Sequence, residues 1–134
     1  MQVRERFLPY HGGMAGVIGT TSGTFQHFVD RVRSALGTLV EAHENSDRFG
    51  VVAIASGGAP YTTFVEDAAA RGADTYVTGE ITMYTRMYAK ERKINLVAGS
   101  HYATETFGVR ALARLVEARF GIAWTFVPES PDVY

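Results

Sequence analysis

Residues 94–105 read Ile94-Asn95-Leu96-Val97-Ala98-Gly99-Ser100-His101-Tyr102-Ala103-Thr104-Glu105. A short apolar run passes through a Gly-Ser turn into a segment of helical character, the signature of a strand feeding a helix. Residues four apart share one face of a helix, so His101 and Glu105 can converge on one point. In open α/β sheets that point, beyond the carboxyl end of a strand, is where ligands bind. Imidazole with carboxylate suits zinc or another divalent transition ion. Two ligands do not close a metal site, so other groups must complete it.

Working outward, the same alternation recurs from Gly50 onward. Strands are expected over 51–55, 75–77 and 94–98, and helices over 60–70, 81–93 and 103–120, with Gly72 and Gly121 as stops. A last strand is expected over 122–127, before a proline-punctuated tail. Upstream, Phe25, Phe28, Val29, Val32 and Leu36 recur at helical spacing and end at Gly37. A short strand over 38–42 and a polar loop over 43–50 follow. Residues 1–23 carry Pro9, Gly12, Gly13, Gly16, Gly19 and Gly23. They read as an irregular N-terminal arm or short edge strand, leaving 24–134 as a single domain. Short apolar strands between amphipathic helices predict an α/β fold, a largely parallel sheet covered by helices.

Composition narrows the function. The 134 residues suit one domain, and 46% apolar with 20% charged content describes a globular protein. A net charge of −1 gives no electrostatic reason to expect nucleic acid. The absence of cysteine removes disulfides and thiolate metal sites. No apolar run approaches the roughly 18 residues of a membrane span, and no signal-peptide pattern is present, so a cytoplasmic location is expected.

Three expected strand ends carry small or polar residues. Ser56-Gly57-Gly58-Ala59-Pro60 reads either as a tight strand-to-helix turn or as a backbone cradle for an anion. Thr78-Gly79-Glu80 offers Glu80 either to a helix dipole or to the crevice that His101 faces. A β-branched residue at Gly79 is expected to be poorly tolerated if this turn needs a positive φ. The third is the turn with His101 and Glu105, where Ser100 or Thr104 could also serve as a helix cap. His11, His27 and His43 lack comparable settings. Tyr76, Met83, Tyr84, Met87 and Tyr88 suit core packing or a subunit contact.

The stretch 72–80 (Gly-Ala-Asp-Thr-Tyr-Val-Thr-Gly-Glu), then Ile94-Asn95-Leu96-Val97, then Ser100-His101-Tyr102-Ala103-Thr104-Glu105 resembles the C-terminal half of the NIF-three-like family. Members are often called GTP cyclohydrolase I type 2 homologues. Ser56-Gly57-Gly58 falls at that family's glycine-rich strand end, and the likeness runs from about residue 20 to residue 127. The resemblance implies an α/β subunit of a toroidal hexamer with a dinuclear metal centre. It makes His101 and Glu105 metal ligands and puts Glu80 close to the centre. The family's remaining ligands, a His-His-Pro motif and a later aspartate, are not in this chain. Met83-Tyr84 stands where members commonly have histidine, and Ala98-Gly99-Ser100 where many read Asp-Ala-Gly.

Two readings follow. In the first, a divalent ion (zinc, manganese, iron or cobalt) on His101 and Glu105 activates water. Glu80 then accepts a proton, Ser56, Gly57 and Gly58 lie near a phosphate, and the substrate is a nucleotide or related phosphorylated compound. A missing N-terminal half or a second polypeptide completes the metal site. In the second, the chain is a non-catalytic homo-oligomeric scaffold or regulatory module with an incomplete site.

Overall fold

The structure, a computed structural model, describes residues 1–129. Its elements are β1 (Gln2–Tyr10), β2 (Gly13–Thr20), α1 (Phe25–Leu36), β3 (Glu41–His43), β4 (Val51–Ala55), α2 (Thr62–Ala70), β5 (Thr75–Thr78), α3 (Met83–Glu91), β6 (Asn95–Ala98) and α4 (His101–Phe120). They form one six-stranded sheet in the order β1-β2-β4-β5-β6-β3. The α/β class expected from the alternation holds. The sheet is mixed, however: β4-β5 and β5-β6 pair in parallel, whereas β1-β2, β2-β4 and β3-β6 are antiparallel.

The parallel centre follows from βαβ crossovers, and strict alternation splits its side chains between two layers. Ala53, Tyr76 and Leu96 face one way and pack with Val65 and Ala68 of α2 and Ala89 of α3. Val52, Val77 and Val97 face the other way, against Phe25, Phe28 and Val29 of α1. Helix α1 is closed at both ends as its sequence suggests. The Thr24 hydroxyl accepts the His27 amide, and the Gly37 amide donates to the Arg33 carbonyl.

Residues 1–23 are not an irregular arm. Tyr10 and Gly13 pair across a two-residue turn in which His11 and Gly12 both have positive φ (45° and 79°), as hairpin turns of the primed type require. Strand β2 continues the sheet onto β4, and Phe7, Leu8 and Ile18 enter the same core as α2 and α3. The glycines read as chain punctuation instead permit close strand packing: a Cβ on Gly16 would overlap the Phe7 ring. Residues 122–127 form no strand. The flank of β6 is taken by β3, so no sheet edge is open to them there. The remaining differences are shifts of a few residues at element ends. Among them, α4 starts at His101, with Ser100 as its cap.

Candidate metal centre

The carboxyl ends of β4, β5 and β6 meet, and with them the three turns singled out in the sequence. The knot that ties them is the Gly57 carbonyl. It accepts from the Ala59 amide (3.0 Å), the Gly79 amide (3.1 Å) and the Thr78 hydroxyl (3.3 Å). The Gly57 amide donates to Thr104 Oγ1 on α4 (2.9 Å), and the Gly99 amide donates to the Thr78 carbonyl (3.0 Å). Tyr76 adds a further tie: its buried hydroxyl donates to the Ala59 carbonyl (2.9 Å), and burial pushes its ionisation up.

Two glycines in this knot are dictated by space. A Cβ on Gly79 would lie 2.6 Å from the Gly57 carbonyl oxygen and 2.8 Å from the His101 Cα. Gly79 is not among the residues with positive φ; close approach, rather than a left-handed turn, is what demands glycine there. Gly57 does have a positive φ, 70°, and a Cβ on it would overlap Glu105 Oε1.

Above this floor lies His101. Its Nδ1 is 2.5 Å from Glu80 Oε1, and its Nε2 is 3.2 Å from Glu105 Oε1. All three side chains are about half exposed. The hydrogen bond to Glu80 raises the His101 pKa above its usual range; slight burial opposes this, and the charges of Glu105 and Glu80 add to the rise. Just before it, Ser100 sits at φ 72° and ψ 134°, a conformation costly for any residue with a side chain. The Ser100 hydroxyl caps the helix by accepting the Ala103 amide (3.4 Å).

His101, Glu105 and Glu80 are therefore brought together as the sequence suggested. The two carboxylates flank opposite nitrogens of one imidazole and do not surround a common point. Accordingly, among the described residues no group of three or more His, Asp or Glu side chains is arranged to hold an ion. The pair His101–Glu105 is the part that fits. Its donors are of the right chemistry, and Gly57 and Gly58 leave open the space a side chain would fill: a Cβ on Gly58 would lie 3.0 Å from the His101 ring. Glu80 holds the far nitrogen of the ring.

Ser56, Gly57 and Gly58 lie beside the pair, but the amides of Gly57 and Ala59 are already engaged within the knot. The turn reading of this loop is the one the hydrogen bonds support. Of the other histidines, His43 bonds to Glu41 (2.7 Å), while His11 and His27 are exposed. Tyr76 is core and Tyr88 packs against it, whereas Met83, Tyr84 and Met87 are exposed. Sequence reasoning missed Thr104 as the clamp between α4 and the Gly57 loop, and also the apolar side of the crevice. Leu8, Tyr61 and Phe64 stand there across from His101. The first had a local signal, a hydroxyl on the turn between His101 and Glu105; the second had none.

Comparison with known proteins agrees with this architecture. The model of the Duf34/NIF3 (NGG1p interacting factor 3) family matches residues 3–132. The chain belongs to the Duf34/NIF3 family. The match extends beyond the stretch from about residue 20 to 127 that carried the resemblance, because the N-terminal hairpin is part of the domain. A "GTP cyclohydrolase 1 type 2 homolog" of Deinococcus radiodurans is 36% identical over 92% of this chain and 47% of its own length. One from Pyrococcus horikoshii is 32% identical over 95% of this chain and 51% of its own length. TTHA1606 from Thermus thermophilus, a crystal structure, superposes with a TM-score of 0.73 at 30% identity, over 98% of this chain and 52% of that one. Protein ybgI shares the fold, with a TM-score of 0.78 at 24% identity over 89% of this chain and 49% of that one. The chain thus spans about half the length of the curated relatives it matches. Among the described residues no helix is long and apolar enough to cross a membrane.

Proposed function

We propose that this Duf34/NIF3 chain supplies one side of a divalent-metal centre, with His101 and Glu105 as ligands, in a hydrolase-like protein. The substrate class is a nucleotide or related phosphorylated compound, in keeping with the names its relatives carry. The supporting observation is the convergence of His101 Nε2 and Glu105 at 3.2 Å over a glycine floor, with Glu80 holding the other ring nitrogen at 2.5 Å. A bound divalent ion would contribute Lewis acidity and a water of lowered pKa. The chain's own residues do the rest. Glu80 accepts the Nδ1 proton and thereby directs the Nε2 lone pair toward Glu105. Its second oxygen, Oε2, lies beside Gly58 and is the atom placed to take a proton from a reactant. The Thr104–Gly57 bond keeps the helix bearing both ligands seated on the sheet. Further ligands come from the half of the relatives' length that this chain does not span, or from a second polypeptide.

Metal content of the purified chain, followed by titration with Zn²⁺ and Mn²⁺, tests this. His101→Ala and Glu105→Ala are each expected to weaken binding roughly tenfold or more, on the scale of losing one ligand, with little change in melting because both side chains are exposed. Retained affinity in both variants refutes the ligand assignment. A second reading, a non-catalytic homo-oligomeric module, is favoured by one observation: α4 leaves Phe107, Val109, Leu112, Leu115 and Phe120 exposed. A metal-free, well-folded oligomer that binds neither ion would establish it.

A further inference from the structure

Beside His101 and Glu105 the crevice deepens into a cavity of about 320 Å³ that the metal reading leaves unused. Its floor is the Ser56–Ala59 loop. The hairpin contributes Leu8 and Tyr10 to its wall, and the start of α2 contributes Tyr61 and Phe64. Tyr61 and Phe64 meet edge to face, with ring centroids 5.1 Å apart and planes at 72°, which holds the Tyr61 ring in a defined orientation. Tyr61 nevertheless remains 59% exposed, so its ring has surface free to receive a ligand. Leu8 adopts φ 59° while its side chain is 5% exposed, a strained backbone retained where a side chain must line a wall.

The charges of the lining are as informative as its shape. None of the residues lining this cavity is lysine or arginine, and its ionisable neighbours at the mouth are His101 and Glu105. The adjoining hollow on the other side of His101 carries Glu80, Glu105 and Glu129 and, among the described residues, no lysine or arginine. Among the described residues a phosphate finds no lysine or arginine on either side, only His101, which already faces Glu80 and Glu105, and the carboxylates repel it. An uncharged aromatic ring finds stacking surface, a volume at the small end of ligand cavities (roughly 300–1,000 Å³), and the exposed Ser56 for a polar contact.

We infer that this cavity receives an uncharged planar heteroaromatic ring, stacked on Tyr61, with the ring edge presented to His101 and Glu105. Any phosphate on the same molecule lies outside it, against groups this chain does not supply. The assignment rests on the proposed reactive role of the His101–Glu105 side, which it deepens by naming the part of the substrate that this half selects.

The experiment is a titration of the metal-stripped chain with adenosine, guanosine and ribose 5-phosphate, followed by ligand-observed NMR. At least one nucleoside is expected to bind, and ribose 5-phosphate is not. Tyr61→Ala should weaken nucleoside binding about five- to tenfold, the loss of one aromatic contact; Tyr61→Phe should restore it. Circular dichroism of the exposed-site variants should match the parent. Failure of both nucleosides, equal binding of ribose 5-phosphate, or unaltered affinity in Tyr61→Ala overturns the inference. Because the titrated chain is stripped of metal, nucleoside binding is read separately from metal binding. A chain that binds nucleoside but no metal would therefore sink the metal reading and leave this one standing.

Discussion

Gly79→Ala tests the knot at the strand ends most directly. The added methyl would sit 2.6 Å from the Gly57 carbonyl oxygen, 2.8 Å from the His101 Cα and 2.8 Å from Thr104 Oγ1. The first two are backbone atoms and cannot rotate aside, so relief requires two strand ends to separate. Overpacking of this kind costs about 1–3 kcal/mol. Since the strain also pulls on the Gly79–Gly57 and Gly57–Thr104 hydrogen bonds, the upper part of that range is expected. Unfolding entropies of roughly 2.1 cal/mol/K per residue give about 0.28 kcal/mol/K for 134 residues. A loss of about 2–3 kcal/mol then lowers Tm by about 7–11 °C, measurable by calorimetry. Gly108→Ala is the matched control: its Cβ would meet nothing within 4 Å, and alanine in a helix gains about 0.5–1 kcal/mol over glycine. If Gly79→Ala melts within about 2 °C of the parent, the three turns are not packed as described.

Two further outcomes follow. Asn95 is fully buried; its Oδ1 accepts the amides of Asn45 (2.8 Å) and Ser46 (2.9 Å), and its Nδ2 donates to the Arg48 carbonyl (2.9 Å). Asn95→Leu strands those backbone groups and should cost about 2–4 kcal/mol by urea denaturation; a loss under about 1 kcal/mol would mean that water replaces the side chain. In the metal-free chain, Glu80 raises the His101 pKa, so the pair's contribution is present in full below the unfolded value of about 6.5. That contribution disappears as pH rises through the higher folded value. Glu80→Gln should bring the NMR titration midpoint of His101 down, and an unmoved midpoint would show that Glu80 does not hold the ring.

What was legible in the chain was local. The βα units from Val51 to Glu105 announce themselves because apolar runs of strand length end at Gly or Ser before helical periods. His101 and Glu105 share a face because a helix repeats every 3.6 residues, whatever surrounds it. The hairpin over Gln2–Thr20 was not legible in the same way. Its glycines serve as strand residues under Phe7 and Gln2, and only the partner strand reveals that use. The expected strand over 122–127 failed for a related reason: a strand exists only where an edge receives it, and β3 takes the edge beside β6.

The sequence by itself therefore determined the α/β class, the family, and the shared helical face of His101 and Glu105. Only the tertiary structure decided that Glu80 takes the Nδ1 side of His101 and that Thr104 clamps the Gly57 loop. It likewise placed residues 8, 61 and 64 around one cavity. Those pairings join residues 21, 47 and more than 50 positions apart, and no short-range period encodes which turns will meet. They arise when parallel register brings three strand ends together and the knot at Gly57 leaves room for nothing larger than glycine.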